Sequence, residues 1–195
     1  MSSANFRIEV VEERHFEELA RVRRSFLNSK NFCCCLPLGL DSETEIRKGY
    51  EKCPELMQVA AVAIVPEMGV VGYIQLVLEG MPCDIHKVKA GEVYVYMMTV
   101  DPEARGKGVG TALLKWADGV GKDRDCTFMS LEVIRGNKAI GLYKREGYVV
   151  KPASLFRRII MTIPMCLIIG PVICPSGAPN YCSYGQAHYM EKILE

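Results

Sequence analysis

A glycine-bearing turn is the first feature of this sequence that could bind a ligand. Residues 105–110 read Arg-Gly-Lys-Gly-Val-Gly and lie between a predicted strand and a predicted helix. Backbone N–H groups at the start of a helix have no intrahelical acceptor, and the helix dipole is positive there. Glycine lets the backbone approach a ligand closely, and Arg105 and Lys107 add positive charge. We therefore expect a diphosphate group to bind at this turn.

The spacing of the turn separates it from two common nucleotide-binding motifs. No Gly-Lys-Ser or Gly-Lys-Thr ends the turn, as a Walker A loop requires. The glycines also do not follow the Gly-x-Gly-x-x-Gly spacing of dinucleotide-binding proteins. Both differences argue against ATP and NAD as ligands.

Two separate blocks of sequence make the turn more informative. Residues 98–114 read MTVDPEARGKGVGTALL, and residues 131–148 read LEVIRGNKAIGLYKREGY. Together, in this order and spacing, they resemble the GNAT superfamily of acyl-CoA-dependent N-acyltransferases. The resemblance is strong over about residues 57–150, and the flanks match only in their order of strands and helices.

The resemblance implies a set of residues that bind acetyl-CoA as the cosubstrate. In the family the turn holds the pyrophosphate of coenzyme A, and the end of the preceding strand pairs with the pantetheine arm. An asparagine contacts the cofactor in the family and can also act as a helix N-cap. The residues implied here are Met98, Thr99, Val100, Arg105, Gly106, Lys107, Gly108, Val109, Gly110, Thr111 and Asn137.

Acetyl transfer to an amine also requires that the amine lose a proton. A lysine-type amine of pKa about 10.4 is only about one part in 2,500 neutral at pH 7, which costs about 4.6 kcal/mol, whereas an α-amine of pKa about 7.7 to 8.0 needs less help. Glu92 has a placement similar to the catalytic glutamate of the histone-acetylating branch of the superfamily, 13 positions before Arg105. Glu132 resembles the base of ribosomal-protein N-terminal acetyltransferases. The sequence does not choose between them, and for each glutamate a solvated strand-end carboxylate is the alternative.

Tyr143 matches the family tyrosine that protonates, or hydrogen-bonds to, the departing coenzyme A thiolate. The alternative for Tyr143 is a tyrosine that only packs in the core. The interval from Asn137 to Tyr143 is one residue shorter than in the commonest family pattern.

These residues need a scaffold, and hydrophobic periodicity predicts one of the α/β class, α+β in type. We expect the GNAT fold, a mixed, mostly antiparallel central sheet of about six to seven strands flanked by helices. The predicted strands cover residues 5–10, 57–65, 70–78, 92–100, 127–134, 148–151 and 188–194, and the predicted helices cover 13–24, 41–53, 109–121 and 137–146. Strict alternation along the strand before the turn would place five side chains on one face: Glu92, Tyr94, Tyr96, Met98 and Val100.

Length and composition limit the class of protein. The 195 residues favour one N-acetyltransferase domain over residues 1–195, and a formal charge of +1 argues against a general nucleic-acid binder. Nine cysteines are an odd number in a chain that is not short, and its start is acidic, so we expect reduced thiols in the cytoplasm. The three histidines have no zinc spacing, so we expect no metal. The run 33–35 of three cysteines is predicted to be a loop of buried thiols, with an acylation or redox site as the alternative.

An apolar insert at about residues 153–183 is the least expected feature of the chain. No Asp, Glu, Lys or Arg occurs in residues 159–190, and four prolines interrupt this stretch. Its apolar core is short for a bilayer span. A peripheral membrane contact, a homodimer contact, a lid over the acceptor site and extra core remain open.

The sequence therefore predicts an N-acetyltransferase that moves an acetyl group from acetyl-CoA to a primary amine by direct attack, with the help of a general base. The partner is an amine substrate, which can be a protein N-terminus, a lysine or a small amine. The alternatives are a non-catalytic acyl-CoA-binding regulator and a membrane-associated protein acetyltransferase.

Overall fold

The computed structural model of the protein describes residues 5–27, 42–83, 86–134, 136–152 and 187–194. Two of the sequence predictions lie outside these residues. They are the apolar insert at 153–183 and the cysteine run Cys33–Cys35.

Seven strands form one mixed sheet at the centre of the molecule. They are β1 (Arg7–Val10), β2 (Ala60–Val65), β3 (Gly69–Leu78), β4 (Glu92–Val100), β5 (Phe128–Ile134), β6 (Val149–Val150) and β7 (Ala187–Ile193). Their order across the sheet is β1-β2-β3-β4-β5-β7-β6. Among the strands of the described residues, only the β4–β5 pair is parallel, and the other neighbours are antiparallel. The predicted fold class and strand number are confirmed.

Helices pack on both faces of this sheet. They are α1 (Phe16–Leu27), α2 (Glu43–Lys52), α3 (Glu55–Gln58), α4 (Val109–Lys122) and α5 (Ala139–Arg145). On the α1 face, Phe16 and Leu19 are buried in one cluster with Val62 and Tyr73 of the sheet. On the α4 face, Leu113 and its neighbours are buried with alternate residues of β3, β4 and β5. The two apolar clusters fix which side of each strand faces which helices.

The main difference in element boundaries lies before β2, where the sequence predicts a strand from residue 57. The chain instead makes the short helix α3, and β2 begins at Ala60. Pro54, at the N-cap with φ near −60°, starts a tight turn in which the Met57 N–H donates to the Pro54 carbonyl at 3.0 Å. This local bonding competes with strand pairing for the apolar residues 56 and 57.

Strand β4 contains a bulge that the sequence pattern does not predict. In the register with β3, Gln75 pairs with Met97 and Leu76 pairs with Val95, so Tyr96 is an extra residue. Val95 before the bulge and Met98 after it both contact the α4-face cluster. The prediction that Glu92, Tyr94, Tyr96, Met98 and Val100 share one face is therefore wrong, because one inserted residue shifts the side-chain alternation.

Candidate active site

Strands β4 and β5 separate partway along their length. Their parallel pairing runs from Glu92 opposite Phe128 to Val95 opposite Leu131. Beyond this point β4 continues beside β3 to Val100, and β5 continues beside β7. Within the described residues, the edge of β4 that faces β5 has no strand partner after Val95. We call this opening the fork, and backbone groups along it are able to pair with an extended ligand.

The glycine turn follows β4 and leads directly into α4. Gly106 and Gly108 have φ of 75° and 87°, a left-handed backbone that favours glycine. A Cβ atom added at either glycine would meet nothing within 4 Å, so the outer side of the turn is open. Helix α4 starts after Gly108 with no side-chain cap and no acidic residue in its first turn. Its first N–H groups and the positive end of its dipole are therefore exposed to an anion.

Helix α2 shows the contrasting arrangement. The Ser42 hydroxyl accepts a hydrogen bond from the Glu45 N–H at 3.2 Å, and two glutamates occupy the first turn. That helix start is capped and charge-compensated by its own sequence. The bare start of α4 is thus a local feature of the turn at residues 105–110.

Side chains around the turn hold it against β4 and α5. The Arg105 Nε donates to the Val100 carbonyl at 3.0 Å, while the side chain stays exposed, as does that of Lys107. The Thr111 hydroxyl donates to the Glu146 carboxylate at 2.9 Å, which ties the first turn of α4 to the end of α5. Two positive charges therefore lie beside the exposed N–H groups of α4.

Asn137 lies just before α5, and Tyr143 lies within it. The Asn137 side chain accepts a hydrogen bond from the Ala139 N–H at 2.9 Å, which confirms the predicted capping role. Tyr143 is buried, and its ring packs edge-on against Tyr148 with centroids 5.8 Å apart. Burial raises the pKa of Tyr143 to about 12. Because this pKa lies far above 7, the Tyr143 hydroxyl is protonated at neutral pH and is able to donate a hydrogen bond.

Glu92 lies at the closed end of the fork and is 1% exposed. Its carboxylate accepts hydrogen bonds from the Ser130 hydroxyl, from the Lys89 N–H at 2.7 Å, from the Tyr189 hydroxyl at 3.2 Å and from His86 Nε2 at 2.9 Å. Burial alone would raise the pKa of Glu92. The hydrogen bonds and the nearby imidazole outweigh burial and hold the pKa below its usual value. Glu92 is therefore a firmly ionised carboxylate whose oxygens are already bonded.

Glu132 occupies a different place, at the open end of the fork. It is the first residue of β5 after the pairing with β4 ends, and it lies opposite Tyr189 of β7. Its side chain is half-buried. The structure therefore separates the two predicted bases, with Glu132 at the opening and Glu92 enclosed behind it.

A comparison with protein families bears on what this arrangement does. The model of the Acetyltransferase (GNAT) family matches residues 31–148, which is more than half of the chain. The chain belongs to the GNAT acetyltransferase family. This finding confirms the resemblance predicted from the two sequence blocks.

Two curated relatives match this GNAT protein over parts of their length. N-alpha-acetyltransferase 30 of Xenopus laevis is 39% identical over 75 residues, which are 38% of this chain and 27% of that protein. The uncharacterised protein YdhI of Bacillus subtilis is 30% identical over 107 residues, which are 54% of this chain and 58% of that protein. The chain thus spans about a quarter and about three fifths of the lengths of these relatives.

Solved structures share the fold of this GNAT protein. PaiA N-acetyltransferase from Thermoplasma acidophilum, solved with coenzyme A, is 16% identical with a TM-score of 0.63 and covers 99% of both chains. A phosphinothricin acetyltransferase from Sinorhizobium meliloti, solved with acetyl-CoA, is 16% identical with a TM-score of 0.67. The similarity covers 97% of this chain and 88% of that one. At these identities the likeness concerns the fold.

Sequence reasoning missed three residues around Glu92 in this GNAT protein: His86, Ser130 and Tyr189. In the sequence, His86 is only one of three histidines that lack a zinc spacing, and the described residues contain no group of three or more His, Cys, Asp or Glu that could hold a metal ion. Among the residues that the structure describes, no helix has the length and apolar character to cross a bilayer. No sequence signal links the three missed residues, because they come from three segments that only the sheet brings together.

Proposed function

We propose that this GNAT acetyltransferase transfers an acetyl group from acetyl-CoA to a primary amine by direct attack. The observation that carries the proposal is the fork between β4 and β5, open beside the uncapped start of α4. A fork supplies backbone pairing for an extended arm, and the helix start supplies N–H groups for a diphosphate. Acetyl-CoA contains both parts.

The residues proposed to bind the cosubstrate lie between the fork and the start of α5. Backbone groups of residues 98–100 pair with the pantetheine arm and polarise the thioester carbonyl. The turn at residues 105–110, with Arg105 and Lys107, holds the diphosphate. Asn137 and Thr111 hold the starts of α5 and α4 at this site, through the Ala139 N–H and the Glu146 carboxylate.

The chemical step needs a proton acceptor and a proton donor. In the proposal Glu132 removes a proton from the acceptor ammonium, and the neutral nitrogen attacks the thioester carbon. The nitrogen then loses its second proton to a nearby base or water as the C–S bond breaks, and Tyr143 donates a hydrogen bond or a proton to the thiolate, in the latter case regaining a proton from solvent. A covalent cysteine intermediate is not required. Glu132 is preferred over Glu92 because Glu92 is enclosed by four donors.

A peptide α-amine is the first acceptor to test. The match to N-alpha-acetyltransferase 30 supports this class, although it covers 75 residues. The chemistry supports it as well, since an α-amine of pKa about 7.7 to 8.0 is a tenth or more neutral at pH 7. A lysine side chain and a small amine are the other two classes that the proposal includes.

The test is release of coenzyme A thiol from acetyl-CoA with four acceptors: peptides with free N-termini, N-terminally blocked lysine peptides, polyamines and arylamines. We expect at least one class to be acetylated, with Glu132→Gln lowering kcat by about 100-fold. Glu45→Gln is a matched control, because Glu45 lies on α2 and pairs with Lys48 at 3.0 Å. Binding of acetyl-CoA without turnover of any amine, and with no change in Tyr143→Phe, would favour the acyl-CoA-binding regulator instead.

Contact with a membrane or with a second copy of the chain stays a prediction based on the apolar insert at 153–183. Sedimentation with liposomes, with and without residues 155–179, tests the membrane contact. Light scattering of the same two proteins tests the homodimer. The cytoplasmic location is likewise a prediction from the sequence.

A further inference from the structure

The cluster around Glu92 has the form of an oriented proton-accepting group. Three segments that are distant in the chain converge on one carboxylate: the connection before β4, strand β5 and strand β7. Burying an ionised carboxylate among polar groups costs free energy of folding unless the groups are hydrogen-bonded. Here four donors, the Lys89 N–H among them, bond to the Glu92 carboxylate. An ionised carboxylate held this firmly can orient another group but has little capacity left to accept a proton itself.

The group that Glu92 orients is the imidazole of His86. The His86 Nε2 lies 2.9 Å from the Glu92 carboxylate, and an acceptor-only carboxylate requires Nε2 to carry the proton. The basic lone pair is then on Nδ1. The ring is stacked on Tyr94 with centroids 4.4 Å apart and on Tyr189 at 5.9 Å. One hydrogen bond and two ring contacts therefore fix both the tautomer and the plane of the imidazole.

His86 lies beside the residues at which β4 and β5 separate. Tyr94, its closest stacking partner, pairs with Ser130 in the last part of the β4–β5 ladder before the strands separate. Tyr189, its second stacking partner, lies directly opposite Glu132 on the neighbouring strand. Tyr189 therefore connects the two residues: its ring stacks on His86, and its backbone pairs with that of Glu132.

We propose that His86 and Glu92 form a carboxylate–imidazole pair that receives the acceptor's proton at the fork, beside Glu132. The inference rests on the proposed acetyl transfer. Glu132 takes the first proton of the acceptor ammonium; the second, which leaves the nitrogen as the amide forms, binds Nδ1 of His86, and Glu92 stabilises the resulting imidazolium. The imidazolium later returns the proton to water. Glu92 is a positioning residue in this scheme, because it acts through His86.

Ordinary acidities explain why an imidazole is useful next to a glutamate. An unperturbed imidazole binds a proton roughly a hundredfold more tightly than an unperturbed glutamate, and a base is most effective when its pKa is near the working pH. The ionisable groups in contact with His86 are Glu92 and Tyr94 on β4 and Tyr189 on β7, while Lys89 of its own segment and Glu191 of β7 both interact with Tyr189.

Steady-state kinetics against pH test the pair in the full chain. We expect His86→Gln to lower kcat at pH 7 by about tenfold or more, to change the acidic limb of the profile and to leave the dissociation constant for acetyl-CoA within twofold. His188→Gln is a matched control, since strand alternation puts His188 on the face opposite Tyr189. Glu92→Gln should give the same defect, and the double variant should be no slower than either single variant, as expected for residues acting as one unit. An unchanged kcat and pH profile in His86→Gln, or a defect confined to KM, would overturn the proposal.

Nuclear magnetic resonance gives a second readout that does not depend on turnover. Long-range ¹H–¹⁵N correlations should show His86 protonated on Nε2 in the wild type, and this preference should be lost in Glu92→Gln. Protonation of the neutral ring on Nδ1 in the wild type would refute the pair. If the wild type acetylates no amine, the proposed function fails, while this spectrum still decides the geometry of the pair.

Discussion

The Tyr143 hydroxyl stays protonated at neutral pH because burial raises its pKa to about 12. A buried donor is well suited to a thiolate leaving group, whose ordinary pKa is near 8.5. We expect Tyr143→Phe to lower kcat by about 10- to 100-fold and to leave acetyl-CoA affinity within twofold, since the ring remains in place. Thiol release measures kcat, and calorimetry measures affinity. Tyr148→Phe is the control, because its hydroxyl donates to the Met129 sulfur at 3.6 Å inside the core.

A different prediction concerns Glu92 and acid stability. The folded-state pKa of Glu92 lies below its ordinary value, so its contribution to the free energy of unfolding is present above about pH 4.3 and is lost as pH falls through the lowered pKa. We expect Glu92→Gln to cost about 3 kcal/mol at pH 7, because its amide would face four donors. The difference from wild type should shrink below about pH 4. Urea unfolding at several pH values measures it, and a difference that does not depend on pH would contradict this reasoning.

For individual residues, the sequence predicts contacts between near neighbours in the chain better than contacts between distant segments. The capping bond of Asn137 depends on residues two positions apart, so a sequence motif is enough to find it. The partners of Glu92 are as far away as Tyr189, 97 positions later in the chain. Local patterns carry no information on such long-range contacts. His86 is only six positions from Glu92, but it lies in a connection without helix or strand periodicity, so no pattern in the sequence indicates its role.

At the level of structural elements, a prediction for the turn before α4 distinguishes the stability cost of backbone strain from the loss of contact with the ligand. Gly108 and Gly80 both have a left-handed backbone, with φ of 87° and 84°, and a Cβ at either would meet nothing within 4 Å. Alanine at each position should therefore cost a similar amount of stability, about 1–2 kcal/mol. Only Gly108→Ala should weaken acetyl-CoA binding, by about tenfold or more, because its Cβ would occupy the space of the diphosphate. Thermal unfolding and calorimetry of both variants compare the two effects, and equal affinities would exclude the turn as the diphosphate site.

Elements whose signals are local agree well with the sequence prediction. Strand β4 runs over Glu92–Val100 as predicted, and α4 starts at Val109 as predicted. The bulge at Tyr96 was not predictable, because it exists only relative to the register with β3. The separation of β4 from β5 is also a property of two strands together.

The molecule as a whole should be stabilised by its cosubstrate. A ligand at 100 times its dissociation constant adds about 2.7 kcal/mol to the stability of the folded state. For a domain of this length that corresponds to a rise in Tm of roughly 5–10 °C. We expect acetyl-CoA to produce such a rise in differential scanning fluorimetry and NAD to produce none. An unchanged Tm at millimolar acetyl-CoA would argue against the binding site.

For the whole chain, the sequence predicts the class of fold and leaves the acceptor open. A mixed, mostly antiparallel sheet of about six to seven strands flanked by helices is predicted from periodicity and from the family blocks, and the sheet of seven described strands agrees with it. Acceptor recognition depends on loops that vary around a fixed scaffold. Sequence patterns in such loops do not specify which amine they accept.

The short ladder between β4 and β5 has a consequence for the order of events in turnover. Four residues of each strand pair, and the next amides of β4 face a space where a neighbouring strand would ordinarily be. In the proposed function the pantetheine arm takes the place of that missing strand. Loading the enzyme then completes its sheet, so amides 97–100 should exchange with deuterium more slowly once acetyl-CoA is bound, and each release of coenzyme A should expose them again.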